Sequence, residues 1–321
     1  MKNLAGPRTL LEAVRYFTDK DRALAFMVEA FWPDGVVCPA CGSKKVTFLK
    51  SRGLWNCQTK HPKRQFSIKV GTIMEDSPIG LDKWLPAMWL LANCKNGISS
   101  YELARALKVT QRTAWFMLGR IRLAMQESGG KLGGPGSTVQ VDETYIGGKA
   151  RSMNQKRRGR AMQGRGSAYA TPRPIVLGML EKGGRVRLKH VGDAKRRTLL
   201  SEVVKQVQKG SEIHTDQLNV YDGLVSPDYA HKVVNHTETY VDGAVHTQGI
   251  ENFWSLLKRA IRGTYVSVEP FHLFRYLDEQ AFRFNYRKDD DQGRFVETVR
   301  NVLGRRLTYR QLIGADQPVT T

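Results

Sequence analysis

The stretch Thr138-Val139-Gln140-Val141-Asp142-Glu143-Thr144-Tyr145 decides how this chain is read. Val139, Val141 and Tyr145 alternate with polar positions, the period of a β-strand, and Asp142 stands in its middle. Downstream, Ile175 to Leu180 and Val186 to Val191 are apolar strands joined by Glu181-Lys182-Gly183-Gly184, a hairpin signal. Thr198 to Gln208 reads as a helix with Leu199, Leu200, Val203 and Val207 inward, and Glu212 to Thr215 as a short strand. Ile250 to Ile261 and Phe271 to Tyr286 read as helices. Strands alternating with helices make this half of the chain α/β (α+β).

A strand-borne aspartate is more often a surface or turn residue than a ligand, so Asp142 matters only if other acids converge on it. Two stand out. Asp216 closes the strand Ile213-His214-Thr215-Asp216, and Glu251 opens the helix Gly249-Ile250-Glu251-Asn252-Phe253-Trp254-Ser255-Leu256-Leu257-Lys258-Arg259, with 34 residues between the two acids. Phosphodiester chemistry uses such a set. Two Mg (or Mn) ions ~4 Å apart activate the attacking oxygen and stabilise the leaving one, and hard oxygen ligands hold them. On the helix, Ile250, Phe253, Trp254, Leu257 and Ile261 form the apolar stripe. Glu251, Ser255, Lys258 and Arg262 share the opposite side, so Lys258 and Arg262 can meet phosphate beside the acids. Glu143, Asp222, Glu238 and Asp242 compete for the same role, and His246 is close enough in sequence to polarise a water.

Upstream, six of the eight residues in Gly129-Gly130-Lys131-Leu132-Gly133-Gly134-Pro135-Gly136 are glycine or proline, which marks a linker and the domain boundary. Before it, Ser99 or Ser100 caps a helix ending at Leu107, Lys108-Val109-Thr110 turns the chain, and Thr110 caps a second helix from Gln111 to Ala124. Ala104 and Leu107 are expected to pack on Val109, Ala114, Met117, Leu118 and Ile121. That leaves Gln111, Arg112, Arg120 and Arg122 facing solvent, as a helix in a DNA major groove requires. An ordinary helical hairpin with a solvated basic face has the same pattern.

Cys38-Pro39-Ala40-Cys41, then Cys57 and His61, give the spacing C-x2-C-x15-C-x3-H. Four N or S ligands supplied in pairs by two tight turns suit one structural Zn, which substitutes for the core a ~40-residue module lacks. Cys94 lies inside the apolar helical run Leu85 to Cys94 and reads as core. Thr18 can cap a helix from Asp19 to about Phe31.

The expected organisation is a helical segment (1–34), a zinc ribbon (35–75), a helix-turn-helix region (76–128), a linker (129–137), a catalytic domain (138–288) and a polar tail (289–321) with a short helix around Val299 to Leu303. An insertion at 149–173 holds eight Lys or Arg and no acid, among them Lys149, Arg151, Lys156, Arg157 and Arg158. It reads equally well as a strip along phosphates or as a solvated loop.

The chain of 321 residues carries 51 Lys plus Arg against 30 Asp plus Glu, a net charge of +21, which points to a polyanion. Its 41 % hydrophobic content suits packed domains rather than disorder. No apolar run approaches the ~20 residues of a membrane helix, and the N-terminus has no signal-peptide core. Four cysteines make no disulfide scaffold, so a reducing cytoplasmic setting is expected.

Val141-Asp142-Glu143-Thr144-Tyr145-Ile146-Gly147-Gly148-Lys149 and His246-Thr247-Gln248-Gly249-Ile250-Glu251-Asn252-Phe253-Trp254-Ser255-Leu256-Leu257-Lys258-Arg259 resemble the catalytic domain of bacterial insertion-sequence DDE transposases of the zinc-ribbon, ISXO-like type. Arg64-Gln65-Phe66-Ser67, Gly71-Thr72-Ile73 and Leu81-Asp82-Lys83-Trp84 resemble that family's ribbon-to-helix junction. The resemblance implies a ribonuclease-H-like fold, with Asp142, Asp216 and Glu251 as metal ligands and Lys258 as the basic residue seven places after the third acid. It implies cut or copy transposition of a DNA element, with terminal inverted repeats and target DNA as partners, and a homodimer or higher oligomer. The family's fourth ribbon ligand is often Cys, where this chain has His61. Two readings compete: a non-catalytic zinc-ribbon/helix-turn-helix regulator, and a domesticated nuclease that cuts without joining.

Overall fold

A computed structural model describes Leu4 and residues 6–127, 129–147, 174–216, 228–234, 247–266 and 268–315. The chain forms two compact units, one of residues 1–126 with 286–321 and the other of residues 127–285. Among the described residues no helix is long and apolar enough to cross a membrane.

The first unit opens with helices α1 (Leu10–Thr18) and α2 (Lys20–Phe31). Thr18 ends α1, and Asp19 caps α2, accepting from the backbone N–H of Asp21 and Arg22. The cap is therefore one residue later than expected, because a single residue separates two helices and a carboxylate there reaches both free N–H groups. A three-stranded antiparallel sheet follows, β1 (Val46–Leu49), β2 (Leu54–Cys57) and β3 (Gln65–Phe66). Its own core is small: Trp55 lies 5.9 Å from Phe66, 5.7 Å from Trp32 and 4.9 Å from Phe48, between ring centroids.

Helix α3 (Leu81–Asn93) is the buried centre of this unit, with Trp84, Leu85, Met88, Trp89 and Leu91 inside. Helices α4 (Ser100–Leu107) and α5 (Gln111–Ala124) form the expected pair. Ser99 and Glu102 make a reciprocal capping box, Lys108 turns the chain in the left-handed region (φ 50°), and Thr110 caps α5 by accepting from Thr113 N–H.

The segment read as a polar tail with one short helix around Val299 instead folds as core. It forms α9 (Asp291–Arg300) and α10 (Tyr309–Leu312). Phe295 is buried with its ring centroid 5.0 Å from Trp89, 5.6 Å from Phe17 and 5.8 Å from Phe26. A ten-residue amphipathic helix surrounded by charges gives a weak periodic signal on its own. Its apolar partners lie more than two hundred residues away.

The second unit is built on a five-stranded sheet: β4 (Thr138–Tyr145), β5 (Ile175–Glu181), β6 (Val186–Val191), β7 (Glu212–Asp216) and β8 (Ala230–Val234), in the order β6-β5-β4-β7-β8. β6, β5 and β4 are antiparallel, whereas β7 and β8 run parallel to β4. This mixed α+β architecture agrees with the ribonuclease-H-like expectation. Helix α6 (Arg196–Gln206) packs one face through Leu199 and Val203, with Val139, Val141, Leu177, Met179 and Ile213. Helices α7 (Gln248–Ala260) and α8 (Leu273–Asn285) cover the other face through Ile250, Phe253, Trp254, Leu257, Leu273 and Leu277, with Val176 and Leu180. Covering on both sides is why β5 is apolar at consecutive positions. The glycine-rich stretch read as a linker is partly built in: Leu132 is fully buried, donates to Gln206 O and accepts from Gln208 N–H.

Candidate metal centres and nucleic-acid interface

Alternation along β4 assigns its two faces. Val139 and Val141 meet α6, so Gln140 and Asp142 belong to the face that α7 crosses. β4 pairs with β7 as Gln140 with His214 and Val141 with Thr215, so the register carries Asp142 and Asp216 to neighbouring positions on that face. Gln140 Oε1 accepts from Ile250 N–H at 3.0 Å, which ties the first turn of α7 to β4. Glu251 follows on that turn, and the buried Thr247 hydroxyl donates to its Oε1 at 2.8 Å.

Two residues absent from the sequence reading of the site hold it in place. Trp254 Nε1 donates to Asp142 Oδ2 at 2.8 Å, while Glu143 N–H donates to Asp142 Oδ1 at 2.8 Å. Gly178 lies opposite Asp142 on β5, and a Cβ there would stand 2.5 Å from the Trp254 ring. Only glycine leaves room for the indole. Trp254 was legible as part of the apolar stripe, but its indole N–H also needs a partner when buried, and that was the available signal.

Burial raises the Asp142 carboxyl to about 6, and the charges of Glu143 and Asp216 push the same way; the Trp254 and Glu143 N–H bonds oppose them. A half-buried carboxylate crowded by other acids is the donor set that a divalent cation relieves, so the residues fit Mg or Mn. Lys258 is half-buried on α7. Arg262 is exposed and falls in a π-helical turn, residues 261–265, which ends the α-helical spacing used to place it. Glu143 is half-buried beside Asp142. Asp222, Glu238, Asp242 and His246 lie outside the described residues, as do Lys149, Arg151, Lys156, Arg157 and Arg158.

The ribbon brings its four ligands together. The donor atoms of Cys38, Cys41, Cys57 and His61 all lie within 4.8 Å of one another. Cys38 Sγ is 3.4 Å from His61 Nε2, and Cys41 Sγ is 3.7 Å from Cys57 Sγ. These match the edges, roughly 3.5–3.8 Å, of a tetrahedron with zinc–ligand bonds of ~2.0–2.3 Å. The first turn closes by Gly42 N–H donating to Cys38 O at 2.8 Å, with Gly42 at φ 70°. His61 Nδ1 lies 2.7 Å from Pro62 O, the partner that directs Nε2 at a metal. Burial opposes ionisation of Cys57, yet bonds from His61, Thr59 and Cys41 bring it down to about 6. The bond with Cys57 in turn raises His61. The set fits a structural zinc. Cys94 is the half-buried cap residue after α3 and belongs to no such cluster.

On α5 the expectation of solvent exposure fails for two residues. Arg120 is 4 % and Arg122 2 % exposed. Arg120 donates from Nε to Leu307 O at 2.9 Å and from Nη1 to Ile73 O and Glu75 O at 2.8 and 2.7 Å. Burial pulls its guanidinium below the ordinary value, with Asp76 opposing. Charge patterning places arginines outward, but the returning C-terminal segment and residues 73–75 meet Arg120 and supply its carbonyls. Arg112 is exposed, and Gln111 is half-buried with its Nε2 donating to Ser100 Oγ at 2.8 Å.

Residues 131–285 match the family model of the ISXO2-like transposase domain, and residues 18–59 match that of a transposase zinc-ribbon domain. The second match stops just before His61. Over 256 residues the chain is 28 % identical to an uncharacterised protein in transposable element ISH50 of Halobacterium salinarum, covering 77 % of this chain and 84 % of that one. It is 31 % identical over 88 residues to an uncharacterised transposase-like protein of Haemophilus influenzae, covering 27 % of this chain and 71 % of that one.

Proposed function

Because the chain belongs to the ISXO2-like, zinc-ribbon transposases, we propose that it binds the ends of its own insertion sequence, nicks them and joins the freed 3′-hydroxyls to target DNA. The observation that carries this reading is the placement of Asp142 and Asp216 side by side on parallel strands β4 and β7, under the helix that brings Glu251 and the Trp254 bond. Asp142, Asp216 and Glu251 would hold two Mg or Mn ions. Bound there, the ions supply Lewis-acid charge to the attacking and leaving oxygens.

The protein's own groups do the rest. Trp254 fixes the Asp142 carboxylate and Thr247 fixes Glu251, so the acids meet substrate without reorganising. Lys258, two turns beyond Glu251, contacts a phosphate oxygen beside the scissile bond. In the first step water attacks phosphorus and the 3′ oxygen leaves. In the second that 3′-hydroxyl attacks a target phosphate in line, the target strand's own 3′ oxygen leaves, and the same acids serve again. Arg112 and Gln111 at the start of α5 read base edges, and the buried Arg120 and Arg122 have no part in it. Arg262 and the basic run 149–173 track phosphates without reading sequence. The protein acts as a dimer or larger on paired ends, in the cytoplasm on nucleoid DNA.

Asp142→Asn and Glu251→Gln test the assignment. Cleavage of an end-bearing duplex should fall by about a thousandfold or more, while binding of that duplex persists. Cleavage surviving both changes would refute the triad. An assay that separates nicked from joined product tells a transposase from a nuclease, and a wild-type protein that binds ends without either product is a regulator.

A further inference from the structure

We propose that the C-terminal segment, residues 302–312, is part of the DNA-reading surface, with Tyr309 as the positioning residue that aims Arg112. The inference rests on the reading of α4 and α5 as a DNA-binding pair. Arg112 is the second residue of α5 and is exposed. Its Nη2 donates to the Tyr309 hydroxyl at 2.7 Å, and its guanidinium carbon lies 5.0 Å from the centre of the Tyr309 ring. The two residues are 197 positions apart in the chain.

Tyr309 is itself held. Its ring meets the Phe116 ring edge-on at 5.8 Å, and it opens α10, whose start is locked by the reciprocal Thr308–Gln311 capping box. Leu312 seats against Gly119 of α5, where an added Cβ would come within 2.8 Å of it. Arg120 ties Leu307 to α5 and to Ile73, and Arg306 pairs with Asp76 at 2.6 Å. The segment is therefore bolted onto the helix pair at several independent points.

The consequence follows from guanidinium chemistry. An arginine has five N–H donors in a fixed fork, and the Tyr309 bond occupies one. A guanine presents O6 and N7 to a parallel pair of the remainder. An arginine already docked on an aromatic ring gives up less side-chain freedom on binding than a free one. Tyr309 thus acts through Arg112, and does so on the first turn of α5, the part of such a helix that meets base edges.

The test uses the full-length, zinc-loaded protein and two duplexes of equal length: one carrying the terminal sequence that flanks the gene, one a scrambled version. Tyr309→Phe keeps the ring and loses the hydroxyl acceptor, and should weaken binding of the end duplex about fivefold. Tyr309→Ala should weaken it about twentyfold. Binding of the scrambled duplex and the melting temperature of Tyr309→Phe should stay as in wild type. The double variant Arg112→Ala/Tyr309→Ala should bind no more weakly than Arg112→Ala alone. Additive losses, or equal losses on both duplexes, would overturn the proposal. Tyr309→Phe carries the test if Tyr309→Ala does not fold. If wild type fails to distinguish the duplexes, the DNA reading of α4 and α5 falls and this proposal with it; if wild type distinguishes them and Tyr309→Phe is silent, only the proposal falls.

Discussion

The zinc ribbon and the acidic site proposed on the sheet are two candidate ligand sets, built in opposite ways. The ribbon's four donors come from one stretch of 24 residues, gathered by tight turns over a few aromatic rings. The acidic site draws on β4, β7 and α7, which span more than a hundred residues, and is held by packing on both faces of a sheet. In the ribbon, metal stands in for a core. On the sheet, the core stands ready before any metal arrives. On the function proposed above, the first set is local and depends on its ion for folding, whereas the second is long-range and would need its two ions for chemistry alone.

Removing zinc breaks the comparison at its weakest point and has the largest expected effect. Binding of a structural zinc contributes about 10–16 kcal/mol in small modules that lack another core. Chelation should abolish amide-exchange protection at residues 35–75 while β4 and β5 keep theirs. Unchanged exchange in the ribbon would show that its aromatic cluster suffices without metal.

Trp254→Phe sharpens the other side. It retains most of the packing and deletes the N–H that orients Asp142. Metal affinity or cleavage rate should fall about 10–100-fold, as for other groups that orient a ligand, with little change in melting temperature. A rate equal to wild type would mean that Glu143 N–H alone fixes the carboxylate.

Gly178→Ala has a far smaller expected effect than zinc removal and probes the Trp254–Asp142 contact from beneath. The new methyl would overlap the Trp254 ring, so overpacking should cost about 1–3 kcal/mol. Cleavage should drop as the indole moves off Asp142. A stable variant that cuts normally would show that the ring relaxes without losing its bond.

Much of the frame was readable from local pattern. The hairpin at residues 181–184, the turn at Lys108 and the caps at Ser99 and Thr110 depend on neighbours a few residues apart. So does the cysteine spacing. Asp142, Asp216 and Glu251 were legible as acids on separate regular elements. The roles of Trp254, Gly178 and Gln140 were not, because each is set by a partner on another element. The same holds for Arg120 and Arg122, read as outward and found buried, and for Phe295, read within a tail and found in the core.

The sequence by itself determined most element types, the turn at Lys108, the caps at Ser99 and Thr110, the ribbon spacing and the sign of the field, +21, that favours a polyanion. Those are properties of short windows or of sums. Tertiary structure alone decided which side of β4 carries Asp142, what holds its carboxylate, which arginines of α5 reach solvent and where residues 291–312 go. Each of these depends on burial by a remote segment, and a local window records a side chain's own polarity but not what will come to cover it.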